Sequence, residues 1–114
     1  MDSQAGDTTS YGNSGEHVLL RRYTVVPGKW PELLEVMKQI VVVRKRHGFR
    51  VVCAFADREE NMLTWAIAYS GDIDTAAKHY YEDPDRIALQ TVNDYVTEWE
   101  VRPVEPIDLQ GDPS

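Results

Sequence analysis

In this chain of 114 residues, few side chains combine chemistry with a place in an apolar pattern. His79 and Tyr80 stand side by side in one amphipathic run, and Arg21 precedes Tyr23 by two places in an earlier one. An imidazole with an ordinary pKa suits proton abstraction near neutrality, so His79 is a candidate general base. Beside Lys78 it equally suits a solvated helix face. Buried phenols must find partners, which makes Tyr23 and Tyr80 candidate donors to a developing oxyanion. Arg21 and Arg22 point to opposite faces of one strand, so one of them enters an apolar layer or its rim. A buried guanidinium needs an acidic partner. Glu98 or Glu100 supplies it if the pairing is structural, and an anionic or enolate substrate does if it is functional. Trp65 and Tyr69 join Tyr23, Tyr80, Tyr81 and Trp99 in an aromatic set able to line a pocket for a planar ligand. For Tyr81 and Trp99, core and interface packing is the simpler account.

Other chemistries find little support. Cys53 is the single cysteine and sits in the apolar run Val51–Phe55, so it reads as a core residue. His47 ends a basic helix terminus, where a cation interacts well with the helix dipole. No His, Cys, Asp or Glu cluster has metal-ligand spacing, and no Gly-rich phosphate loop or dinucleotide fingerprint is present. We therefore expect no metal and no cofactor. The net charge of −7 belongs mostly to the ends. Setting aside Asp2, Asp7, Glu16, Glu105, Asp108 and Asp112 leaves 13 acids against 12 bases, a net of −1, in residues 17–104. Such a balanced body offers no basic face to nucleic acid. No apolar run approaches the roughly 20 residues of a membrane span, and the polar N-terminus lacks a signal pattern. The expectation is a soluble, cytoplasmic protein without membrane partners.

The elements that must position these residues follow from apolar periodicity. A strand over His17–Val26 runs into Pro27-Gly28-Lys29 and leaves as a helix carrying Leu33, Leu34, Met37, Ile40 and Val41, with Gly48 as its stop. Strands over Phe49–Asp57 and Met62–Ser70 flank a hairpin loop. Asp72 or Asp74 caps a second helix, Asp83-Pro84 interrupts it, and a further helical piece precedes a last strand over Tyr95–Arg102. This gives a βαββαβ order in residues 17–104, with a disordered tail at 1–16 and an extended one at 105–114. Phe49, Val51, Cys53 and Phe55 on one face of the second strand oppose Val52, Ala54 and Ala56, and the third strand is equally two-faced. Two helices cover only one face of such a sheet, so the other is expected to meet a second copy in a homodimer.

With that order in place, Leu20-Arg-Arg-Tyr-Thr-Val-Val-Pro-Gly-Lys29 resembles the strand-to-helix signature of the NIPSNAP family, within the dimeric α/β-barrel superfamily. The resemblance covers residues 17–104. It implies an α+β, ferredoxin-like subunit with a four-stranded antiparallel sheet that packs on its twin, and a pocket between sheet and helices. The superfamily includes oxygenases, cyclases, isomerases and haem enzymes. In its polyketide-cyclase branch a Tyr lies four residues before a helix-breaking Pro and a His two after it. Tyr80 matches the first place, and Arg86 replaces the His after Pro84. A guanidinium stays protonated, so Arg86 is read as a substrate-binding residue. The Asn–Trp pair of the cofactor-free oxygenases is matched in spacing by Asn61 and Trp65, but too early in the strand. A haem role would require an axial ligand facing the pocket, with His79 the candidate.

The sequence thus leads to a cofactor-free enzyme performing proton transfer, of cyclase or isomerase type, on a small hydrophobic or aromatic, polyketide-like carbonyl compound. His79, Tyr80 and Tyr23 would be catalytic, and Arg21, Trp65, Tyr69 and Arg86 would bind substrate. The alternatives are cofactor-independent monooxygenation of a phenol, and a non-catalytic binding dimer.

Overall fold

The computed structural model describes residues 15–110. Most of the expected N-terminal tail (1–14) and the last four residues (111–114) lie outside the described residues. The elements are β1 (Glu16–Val25), α1 (Trp30–Arg46), β2 (Arg50–Asp57), β3 (Met62–Ser70), α2 (Ile73–Glu82), α3 (Pro84–Ile87), a 3₁₀ turn (Gln90–Asp94) and β4 (Val96–Val104). The strands form one antiparallel sheet in the order β2-β3-β1-β4, a ferredoxin-like α+β arrangement. β4 is an edge strand, which is why Pro103 can sit in it opposite Leu19, one residue before its end, without breaking the sheet.

Helix α1 keeps one apolar stripe through its whole length. Leu33, Val36, Met37, Ile40 and Val43 are buried, whereas Val42, the middle residue of the valine triplet, stays exposed. Stripe burial outweighs the β preference of three branched residues. The stop is Gly48, with φ +92°, where a Cβ would also lie 3.0 Å from the Tyr69 ring. At α2 the cap is Asp72, whose carboxylate accepts from the Thr75 N–H at 3.1 Å.

One core unites α1 and α2 with the sheet face that carries Leu19, Tyr23, Val25, Leu63, Trp65 and Ile67. The opposite face has its own cluster of Val18, Ala66 and Ala68, flanked by Leu20 and Cys53, and no helix residue belongs to it. The alternation expected in β2 is broken by a bulge. Val51 pairs with Ile67 but Cys53 pairs with Ala66, so Val52 is the extra residue. The bulge reverses the remaining alternation. Val51 and Ala54 therefore face the helices, while Cys53 and Phe55 turn to the open face, where Phe55 is 64% exposed.

The helical layer is pinned at Asp83, held at ψ 125° ahead of Pro84. Its carboxylate accepts from the Asp85 N–H (2.8 Å) and the Arg46 guanidinium (3.1 Å), and pairs with His47 Nε2 (2.8 Å). The end of α1 is thus tied to the α2–α3 junction. The His47 hydrogen bond, helped by the Asp85 N–H, holds the Asp83 carboxyl below its ordinary value. Because the folded-state value is depressed, the stabilisation is complete above the unfolded-state value and is lost as pH falls through the folded one. Asp83→Asn should therefore melt several degrees below wild type near neutral pH. Thermal melts in acid, where wild-type Asp83 is protonated, should show that gap closing.

Candidate functional site

Strand register decides which arginine of β1 turns inward. Arg21 pairs with Trp65 of β3, and Tyr23 pairs with Leu63 of β3 and Trp99 of β4, all on the helix side. Arg22 faces the other way and meets Glu100 at 3.5 Å on the open face. The acid on β4 therefore serves Arg22, and Arg21 gains no carboxylate from it.

Arg21 and Tyr23 instead border a cavity of about 270 Å³ between the sheet and the helices. Helix α1 contributes Met37, Ile40 and Arg44; α2 and α3 contribute Tyr80, Tyr81 and Arg86. Arg44 is there because it continues the buried stripe by one turn beyond Ile40. It is 2% exposed and Arg21 is 8% exposed.

The three arginines are bonded to phenols. Arg21 Nε donates to Tyr23 (2.8 Å) and Arg86 Nε donates to Tyr80 (2.8 Å). Arg21 Nη2 and Arg44 Nη2 both donate to the hydroxyl of Tyr81, at 3.3 and 3.1 Å. The Arg44 guanidinium also lies 3.9 Å from the centroid of the Tyr80 ring and 4.7 Å from that of Phe49. Each phenol oxygen accepts from an arginine, so each O–H remains available to donate. Arg44 Nε and Trp65 Nε1 are buried without a hydrogen-bond partner. Among the described residues, no Asp or Glu lines the cavity.

This environment separates two neighbouring tyrosines. Burial pushes the Tyr80 phenol up, against the pull of Arg44 and Arg86. Burial also works to raise Tyr81, but the guanidinium groups of Arg21 and Arg44 prevail and hold its hydroxyl below the ordinary tyrosine value. Tyr81 as a residue is 45% exposed, while its hydroxyl accepts from both cations. Tyr80 is suited to remain a proton donor, and Tyr81 to act as an acceptor. Burial lowers the Arg44 guanidinium, and the neighbouring Arg21 charge adds to that effect.

Of the residues expected from sequence, the structure brings Arg21, Tyr23, Trp65, Tyr80 and Arg86 together around this cavity. It does not bring His79 or Tyr69. His79 is exposed on α2 and faces away from the cavity that its neighbour Tyr80 lines. Successive helix residues turn by about 100°, so with Tyr80 and Tyr81 spanning the inward arc, His79 falls beside exposed Lys78 on the outer side of α2. Tyr69 packs on Phe49 at 5.0 Å and against Gly48, as a structural residue. Asn61 is occupied in the hairpin, where it accepts from the Trp30 indole at 3.0 Å. Sequence reasoning missed Arg44 and placed Tyr81 among packing residues. The signal for Arg44 was its position in the series Leu33, Met37, Ile40. The basic cluster Arg44-Lys45-Arg46 at the helix end masked it. Among the described residues, no His or Cys lines the cavity, and no group of His, Cys, Asp or Glu could hold a metal ion. Among the described residues, no helix is long and apolar enough to cross a membrane.

No family model matches the chain, and no curated protein matches it in sequence. Solved structures do. A NIPSNAP domain protein from Burkholderia xenovorans superposes with a TM-score of 0.72 at 19% identity, covering 84% of this chain and 99% of its own. A NIPSNAP family protein of unknown function from Agrobacterium tumefaciens gives 0.74 at 18% identity, with coverages of 89% and 96%. The fold is that of the NIPSNAP structures. A Bacteroides thetaiotaomicron protein named for antibiotic biosynthesis monooxygenase activity also matches, with a TM-score of 0.67, 21% identity, and coverages of 88% and 97%. On this NIPSNAP-like frame the cavity occupies the space between sheet and helices, and its chemistry is set by this chain's own side chains.

Proposed function

We propose that the chain binds a small, planar organic anion or enolisable carbonyl compound in the arginine-lined cavity and moves a proton on it, as an isomerase or cyclase does. The observation that carries this reading is the convergence of two buried guanidiniums, Arg21 and Arg44, on the Tyr81 hydroxyl without a carboxylate to neutralise them. A buried, unpaired cation costs several kcal/mol, roughly, even after relaxation, and phenols offset only part of that. An anionic ligand would supply what is missing. Tyr80 and Tyr23 would donate to the carbonyl oxygen. Tyr81, in the phenolate form that Arg21 and Arg44 favour, would take the α-proton and become the neutral phenol, leaving an enolate whose charge faces the two cations, and would return that proton to another carbon, regaining the phenolate. The chain's own residues suffice for this sequence, and His79 has no part in it.

Thermal shift tests the binding step. Aromatic carboxylates and β-keto acids should raise the melting temperature, because ligand at about a hundred times its Kd stabilises by about 2.7 kcal/mol. The matching amides should not. Equal effects of acid and amide would refute an anion site.

Monooxygenation of a phenol has weaker support, since Asn61, needed beside Trp65, is held in the hairpin. A non-catalytic binding protein would share the anion site and differ only at Tyr81. The reading includes a homodimer, in which a second copy covers the open face bearing Val18, Leu20 and Phe55. Light scattering should then give twice the 13.0 kDa chain mass, and a monomer at micromolar concentration would reject the pairing.

A further inference from the structure

Next to the arginine-lined cavity lies a second, of about 230 Å³, bordered by Leu34, Val41, Val51, Ala54 and Leu63, with Lys38 the one charged residue around it among the described residues. The two cavities share two walls, Met37 and Trp65. They differ entirely in character, one ringed by cations and phenols, the other almost wholly apolar. Trp65 stands at the junction and carries a buried indole N–H without a partner. Such a donor is costly unless an acceptor meets it. Met37, the other shared wall, is unbranched, and its rotamers can change to join the spaces. Singly, each space is below the roughly 300 Å³ at which small-molecule sites begin, and joined they enter that range. The β2 bulge shapes the sheet side of the apolar space: it sends Cys53 and Phe55 to the open face and leaves the smaller set Val51, Ala54 and Ala56 on the helix side.

We infer that the natural ligand is amphipathic: an acidic head on Arg21 and Arg44, an oxygen acceptor at the Trp65 indole, and a hydrocarbon tail between α1 and strands β2 and β3. This rests on the anion-site reading above and adds the tail and its place. The occupant of the apolar space is thus the far end of the molecule whose head the arginines hold.

Calorimetry with benzoate, para-hexylbenzoate and neutral hexylbenzene tests it on the full chain. Para-hexylbenzoate should bind wild type about a hundredfold tighter than benzoate, from burial of its methylenes, and far tighter than hexylbenzene. Ala54→Leu, at the mouth of the apolar space, should abolish that gain and leave benzoate affinity unchanged. Leu34→Trp fills the same space from the helix side and should act alike, guarding against a folding defect in either variant. A hexyl gain that survives both fillings would overturn the tail site while leaving the anion site standing. Binding of both acids that ignores Arg44→Met, or hexylbenzene binding as tightly as the acid, would overturn the head site and the tail inference with it.

Discussion

Arg44→Met should make the protein more stable and a much poorer binder of carboxylates. Arg44 is 2% exposed, has no carboxylate beside it among the described residues, and leaves Nε unbonded. What offsets its burial is one hydrogen bond to Tyr81 and the faces of Tyr80 and Phe49. A desolvated cation–π contact contributes about 2 kcal/mol or more, which offsets only part of the several kcal/mol, roughly, of a buried charge. Met matches the length of the aliphatic stem and suits the apolar stripe, while Lys45 and Arg46 keep the cationic helix end. Unfolding in urea should therefore show a gain of about 1 kcal/mol or more, in line with buried charges replaced by apolar residues. Carboxylate affinity should fall about a hundredfold, the loss expected when one partner of a buried charge pair is removed. Stability and binding moving in opposite directions would separate a functional arginine from a structural one. Destabilisation with unchanged binding would make Arg44 a packing residue.

Tyr81→Phe should leave binding nearly intact and slow proton transfer about 10² to 10³-fold, the usual contribution of a positioned acid or base. Removing the hydroxyl keeps the ring and both guanidiniums, so the anion retains its cations. What disappears is the oxygen on which Arg21 and Arg44 converge. Exchange of the α-proton of a bound β-keto acid for deuterium, followed by NMR, reads this step without knowledge of the natural product. In wild type the exchange rate should climb with pH through a midpoint below the ordinary tyrosine value of about 10, because the two cations favour the phenolate. That midpoint should vanish in Tyr81→Phe. His79→Ala should change neither rate nor midpoint, given its exposed place on α2. Exchange no faster than in buffer would turn the reading into one of binding without catalysis.

The sequence carried the fold almost completely and the site in part, for different physical reasons. Period-two and period-3.6 patterns are repeated over many residues, so the strand-to-helix change at Pro27-Gly28-Lys29 and the two-faced strands could be read without coordinates. The β2 bulge could not, because one extra residue among Val51, Val52 and Cys53 leaves no compositional trace while exchanging faces from Cys53 onward. At the site, alternation placed one of Arg21 and Arg22 inside, but only register gives Glu100 to Arg22. His79 drew attention through its chemistry, whereas helix phase gives the inward position to Tyr80. Arg44 was hidden because its charge suited a helix end as well as its phase suited the core. A charged residue in phase with Leu33, Met37 and Ile40 outranks the end-of-helix explanation in this chain.

On the proposed reading, Arg21 and Arg44 await an anion from outside the protein. A crystal structure of the protein with an aromatic carboxylate addresses it most directly. The carboxylate oxygens should lie within hydrogen-bond distance of Arg21 and Arg44, with the Tyr81 hydroxyl beside them. An Asp or Glu of a second copy occupying that place, with the ligand elsewhere, would contradict it.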